Sequence, residues 1–212
     1  MGLYSKNGMY NGYKKNHKER ASLDYYATPS EEVTNVLNLL QLDLKNQVIL
    51  EPCLGEGHMV KGILAYEPTV KILGTDFLDR GFTHPSCELV YGIDGVEVSN
   101  EDYPFKEADY VIMNPPYVTI TPFVLRALSL AKKGVLLLGR LQFVEGDEHF
   151  QKIFKDNPPT KMLQYVERIQ CWKDGVKPEG SGSQAYAWFY WDLTDKNKSE
   201  NTALSWIHRI EK

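Results

Sequence analysis

Four consecutive residues, Asn114-Pro115-Pro116-Tyr117, bring together a carboxamide, two imino acids and a phenol. The carboxamide oxygen of Asn114 and the carbonyl of Pro115 could accept both N–H bonds of an amino group attached to an aromatic ring. Such a nitrogen, adenine N6 for instance, is a poor nucleophile because its lone pair is delocalised into the ring. Two accepted hydrogen bonds pull it toward sp³ and aim the lone pair at an electrophile. Pro115 and Pro116 remove N–H donors and fix φ, so the carbonyls are held on the target. Tyr117 offers an aromatic face to a base turned out of its stack. No base of depressed pKa is required, since the amine becomes acidic only after it has been alkylated. The plain alternative is a proline-rich strand end.

Earlier in the chain, Glu51-Pro52-Cys53-Leu54-Gly55-Glu56-Gly57 follows an apolar run and precedes a helical pattern. Gly55 and Gly57 let the backbone turn sharply and approach a ligand closely. The third glycine of a dinucleotide fingerprint is absent, since Val60 holds its place. Glu51 and Glu56 also put negative charge where a pyrophosphate would sit. That field suits a cationic ligand, and S-adenosylmethionine carries a sulfonium and an ammonium. Asp76, followed by Phe77, stands nineteen residues after Gly57, where an acidic residue accepts ribose hydroxyls. Asp94 is placed to receive an adenine amino group. Either aspartate could instead cap a loop.

The tetrapeptide resembles the (D/N/S)PP(Y/F) motif of amino-group methyltransferases. Tyr26-Ala27-Thr28-Pro29 is similar to the segment that precedes the glycine turn in the gamma-type arrangement and touches the methionine end of the cofactor. The order of that segment, Glu51–Gly57, Asp76, Asp94 and Asn114–Tyr117 resembles gamma-type adenine-N6 DNA methyltransferases over roughly residues 24–192. Within that family the chain is most similar to small phage-borne members, on Thr75–Gly81, Arg140–Gly146 and Gln184–Trp191. The resemblance implies a Rossmann-like class I methyltransferase fold, with a seven-stranded, mostly parallel sheet and an antiparallel C-terminal hairpin. It implies S-adenosylmethionine held by Tyr26, Thr28, Pro29, Glu51, Pro52, Gly55, Gly57, Asp76, Phe77, Asp94 and Asn114. Asn114, Pro115, Pro116 and Tyr117 would act on the target amine, and Trp172 would stack on the base opposite Tyr117. Two departures stand out. Glu51 replaces the Asp or Asn of many relatives, and twenty residues follow Asp192, too few for the target-recognition domain of restriction-type enzymes. The expected partner is therefore DNA, as single strands or through a partner recognition subunit. Methyltransferases of RNA bases or of protein glutamine share the tetrapeptide, and a non-catalytic SAM-binding regulatory or anti-restriction protein could share the fold.

The elements that must position these residues are also legible. Apolar runs at Val48–Leu50, Ile72–Gly74, Leu89–Tyr91, Tyr110–Met113 and Val135–Leu138 end at or near Glu51, Asp76, Asp94, Asn114 and Arg140. Buried strands alternating with helices predict an α/β fold whose ligands sit beyond the strands' carboxyl ends. Thr28 as N-cap, Pro29 at N1 and Glu31 at N3 predict a capped helix, with Val33, Val36, Leu37 and Leu40 as its buried stripe. Further helices are predicted from Thr121-Pro122 to Lys132 and from Asp147 to Lys155, and strands at Met162–Cys171, Ala185–Asp192 and Leu204–Ile210. Residues 173–183 predict a mobile loop. The aromatic run Trp188–Trp191 predicts core, and His58 a helix start.

With 212 residues the chain suits one catalytic domain, 24–212, behind a basic, flexible arm, 1–23. Residues 1–20 carry a net charge of +4, so the remainder carries −8 against the total of −4. An acidic body argues against tight, unspecific nucleic-acid binding. The three cysteines are odd in number and lack CxxC spacing, which suits a reduced, cytoplasmic protein without a metal site. No signal peptide and no apolar run near the roughly 18 residues of a membrane span is present.

Overall fold

A computed structural model describes residues 25–177, 179, 180, 182, 184–194 and 200–208. The basic arm lies outside them. Ten strands are described: β1 (Tyr26–Ala27), β2 (Val48–Glu51), β3 (Lys71–Asp76), β4 (Cys87–Tyr91), β5 (Ala108–Met113), β6 (Ala131–Arg140), β7 (Lys161–Tyr165), β8 (Trp172–Lys173), β9 (Tyr186–Asp192) and β10 (Ala203–Ile207). Three helices, α1 (Ser30–Leu40), α2 (His58–Tyr66) and α3 (Ile120–Leu130), are joined by a short helical segment over Asp147–Phe154 whose second part is π-helical.

Eight strands form one sheet in the order β10-β7-β9-β6-β5-β2-β3-β4. β2 to β6 run parallel, and β9 runs antiparallel to both β6 and β7. The antiparallel C-terminal hairpin is thus present, but the sheet has eight strands where seven were expected. The eighth is β10, which adds parallel to β7 at the edge. Strand alternation splits the core between the two faces. Ile49, Ile72, Ile112 and Trp188 face α1 and α2, whereas Leu50, Val111, Met113 and Phe189 face α3. Trp188 and Phe189 are fully enclosed, as expected of a core strand. No helix among the described residues is long and apolar enough to cross a membrane.

Several local expectations need correction. α1 begins at Ser30 with no side-chain cap, because the Thr28 hydroxyl accepts a hydrogen bond from Asn114 Nδ2 at 3.0 Å instead. α3 begins at Ile120, after a 3₁₀ turn at Tyr117–Thr119, and ends at Leu130; Lys132 is already in β6. The long strand expected at Met162–Cys171 stops at Tyr165. Trp172 and Lys173 instead form β8, paired antiparallel with Ala27 and Tyr26. The start of the expected mobile loop is therefore anchored, with the Asp174 N–H donating to the Tyr25 carbonyl at 2.9 Å.

Candidate active site

Strand order reverses between β2 and β5: the chain continues from β2 to β3 and β4 on one side, and from β5 to β6 on the other. The carboxyl ends of these strands flank a crevice, the usual ligand position of an open α/β sheet. A cavity of about 510 Å³ lies there. Its wall includes Tyr26, Thr28, Glu51, Pro52, Asp76, Phe77, Asp94 and all of Asn114–Tyr117, residues drawn from five separate segments. The size falls within the range of roughly 300–1,000 Å³ usual for small-molecule sites.

The glycine turn is built as its sequence requires, but its glycines do not line the cavity. Gly55 and Gly57 adopt φ of 55° and 72°. A Cβ on Gly55 would fall 2.2 Å from the Tyr25 ring, and one on Gly57 would fall 2.3 Å from the Phe82 ring. Close approach is thus made by two aromatic side chains of the chain itself. Asp76 fixes the turn: Oδ2 accepts the Gly55 N–H at 2.7 Å, while Oδ1 accepts from the Leu78 N–H at 2.9 Å and from Arg80 Nη1 at 3.2 Å. Pro29 also stands outside the wall, and of the two acids in the turn only Glu51 lines it.

Glu51 is almost fully buried, and its Oε2 has no hydrogen-bond partner. Burial, reinforced by the charge of Asp76, holds its carboxyl well above the usual carboxylate range. A cationic group delivered by a ligand would relieve that cost. Asp94 performs the loop-capping role as well as lining the cavity, since its Oδ1 accepts the N–H groups of Val96 at 3.0 Å and Glu97 at 3.2 Å.

Asn114 follows the carboxyl end of β5. Its Nδ2 donates to the Tyr26 carbonyl at 3.2 Å and to Thr28 Oγ1 at 3.0 Å, with Cys171 Sγ at 3.9 Å. A carbonyl can be approached only by the donor side of the amide, so these contacts fix which way the carboxamide points. Its Oδ1 accepts the Tyr117 hydroxyl at 3.2 Å and keeps a second lone pair. Tyr117 is not a bare platform: the Arg140 guanidinium carbon lies 4.3 Å from its ring centroid and Tyr186 packs at 5.9 Å.

Trp172 is not brought to Tyr117. It does not line the cavity and meets His58 edge-on, with ring centroids 5.6 Å apart and planes at 79°. Its backbone pairs with β1, and its ring meets the start of α2 rather than the Tyr117 ring. Several wall residues were not among the expected site residues: Tyr25, Cys53, His58, Arg80, Phe123 and Arg140. The Tyr25 hydroxyl accepts the Glu56 N–H at 3.1 Å and lies 3.1 Å from His58 Nδ1; burial pushes this phenol up to about 12. Burial, then Lys61, lowers the His58 pKa, and burial holds the Cys53 thiol well above its ordinary range. Neither cysteine chemistry nor a histidine cation is therefore favoured at this wall.

No protein-family model matches the chain, and no curated protein matches its sequence. Solved structures do share its fold. A protein assigned as an RNA methyltransferase from Pyrococcus horikoshii superposes with a TM-score of 0.57 at 18% identity, covering 80% of this chain and 88% of that one. A protein assigned as an O-methyltransferase from Agrobacterium tumefaciens gives 0.57 at 13% identity, over 86% of each chain. The modification subunit assigned to a type I restriction enzyme from Vibrio vulnificus gives 0.57 at 11% identity, covering 98% of this chain and 53% of that one. The chain thus has the class I methyltransferase fold, with a mostly parallel central sheet and flanking helices.

Proposed function

We propose that the protein is an S-adenosylmethionine-dependent methyltransferase acting on the exocyclic N6 of adenine in DNA. The observation that carries this reading is the orientation of Asn114. Its Nδ2 is committed to the Tyr26 carbonyl and the Thr28 hydroxyl, so its Oδ1 remains as an acceptor on the cavity wall. The fold alone would serve many acceptors. A fixed carboxamide oxygen beside a rigid Pro-Pro carbonyl is what a weakly nucleophilic ring amine needs.

The cavity fits the cofactor on two counts. Glu51 offers a buried carboxylate oxygen that lacks a partner, and Glu51, Asp76 and Asp94 together make the surrounding wall acidic. Glu51 would hold the ammonium, Asp76 the ribose hydroxyls and Asp94 the adenine amino group, with Tyr26 and Thr28 at the methionine end. When bound, S-adenosylmethionine supplies an electrophilic methyl group. The chain's own part is to bind and orient. Asn114 Oδ1 and the Pro115 carbonyl accept the two N–H bonds of the target, which localises the nitrogen lone pair in the direction of attack. The Tyr117 hydroxyl, donating to Oδ1, keeps that oxygen from turning away. The alkylated amine is acidic enough to release its proton to water, so no general base is called for.

The test is to incubate the full chain with methyl-labelled cofactor and with DNA, RNA and protein pools. N6-methyladenine in DNA is the expected product. Label confined to RNA or protein would move the activity to another acceptor, and no label at all would refute the enzyme reading.

A further inference from the structure

The cavity wall carries both signs of charge. Glu51, Asp76 and Asp94 line it, and so does Arg140, at the carboxyl end of β6 and in contact with Tyr117. The wall contains one other guanidinium, that of Arg80, which is paired with Asp76 at 3.2 Å. Arg140 has no such partner. Among the described residues its guanidinium forms neither an ion pair nor a hydrogen bond, and its Nε is buried without an acceptor. It rests on the Tyr117 ring at 4.3 Å and stands opposite Tyr186 across the β6–β9 ladder. Burial raises the pKa of the phenols of Tyr117 and Tyr186 and of the Cys171 thiol beside it, so these neighbours stay protonated and supply no counter-charge.

A guanidinium partly withdrawn from water and left unpaired is costly unless a ligand brings the counter-charge. A protein amide cannot do this, because it is neutral. A nucleotide can, because the guanidinium fork matches a phosphate in a bidentate manner. We propose that Arg140 binds a phosphodiester flanking the target adenine and so seats the base against Asn114. The inference rests on the nucleic-acid reading above and names the residue that selects a phosphate-bearing target over a neutral amide.

The experiment uses the full chain, Arg140→Gln and Arg140→Lys, with a single-stranded oligonucleotide holding one adenine. Matched oligonucleotides carry an uncharged methylphosphonate on one or other side of that adenine. Arg140→Gln should leave cofactor affinity within about twofold while raising the oligonucleotide KM roughly 10- to 100-fold, the span of a hydrogen bond between charged groups. Its binding should also lose about one phosphate contact's worth of salt dependence. Arg140→Lys should recover part of the loss. In the wild type, one of the two methylphosphonates should reproduce the loss, and in Arg140→Gln the same modification should cost nothing further. An unchanged KM, or an undiminished methylphosphonate penalty in Arg140→Gln, would overturn the assignment. Should Arg140→Gln lose cofactor binding, the Lys variant and the methylphosphonates on wild type decide the matter. A wild type that methylates protein and no nucleic acid overturns both readings, whereas an active wild type with indifferent Arg140 variants overturns this one alone.

Discussion

Glu51→Gln should make the cofactor-free protein more stable and the cofactor-bound protein harder to form. The carboxylate is buried, one of its oxygens lacks a partner, and Asp76 adds a like charge. A carboxyl whose folded pKa is raised contributes stability that is complete below its unfolded value, near the ordinary 4.5, and is lost as pH rises through the folded value. The loss at pH 7 is bounded by the work of keeping a carboxyl of ordinary pKa protonated, roughly 3.4 kcal/mol. An unsatisfied buried acceptor sets the lower figure, about 1 kcal/mol. The isosteric amide escapes the charge cost. For a chain of 212 residues, each kcal/mol moves the melting temperature by roughly 2–4 °C, so a rise of about 2–14 °C at pH 7 is expected. The gain should shrink as pH falls and disappear below pH 4.5. Cofactor binding should respond oppositely, weakening on the order of 10- to 100-fold as the ammonium loses a charged acceptor. Melting curves across pH, with titration calorimetry, measure both. A variant that melts lower at pH 7 and binds cofactor normally would show that Glu51 is a structural acid with a partner, and the charge argument would fail.

Asn114→Ala should reduce transfer by roughly 100- to 1,000-fold while cofactor affinity, read by calorimetry, stays within a few-fold, because the carboxamide acts on the target in the transition state. Near-normal turnover would remove the tetrapeptide from the chemistry. Gly57→Ala should destabilise the fold by about 1–3 kcal/mol, since φ of 72° is strained for alanine and the new Cβ meets the Phe82 ring; denaturant unfolding at an unchanged midpoint would contradict this. Deleting residues 2–20 should lower DNA affinity and flatten its salt dependence but spare cofactor binding, and equal binding at every salt concentration would make the +4 segment a bystander.

What the sequence revealed well were positions whose cause is local. Buried parallel strands leave apolar runs, and a polar residue that ends such a run must emerge at the same end of the sheet; Glu51, Asp76 and Asn114 were found in this way and do line one cavity. The aromatic run from Trp188 likewise announced a core strand. What stayed hidden was set by contacts between distant segments. Thr28 looked like a cap because Pro29 and Glu31 follow it, yet its hydroxyl is engaged by Asn114, 86 residues away. β1 and β8 have two residues each, too few for any periodicity to register. The position of the Trp172 ring is hidden for that reason, since it depends on pairing with Ala27. Arg140 simply ends an apolar run, and nothing in its neighbours' identities discloses that it lacks a counter-ion among the described residues.

The small ribbon of β1 and β8 has a kinetic consequence. The Asn114 amide is held by Tyr26 and Thr28, and Tyr26 is held by pairing with Lys173. Two-residue strands are among the least expensive parts of a fold to open, with local opening free energies far below that of global unfolding. Each opening would free the carboxamide to rotate and present its NH₂ group to the target amine, a donor facing donors. Catalytic competence would then be a fraction of time rather than a fixed property, set by how long the ribbon stays closed. Amide hydrogen exchange at Ala27 and Asp174 would clock that fraction. Ligands that slow exchange at these two positions should raise turnover in proportion.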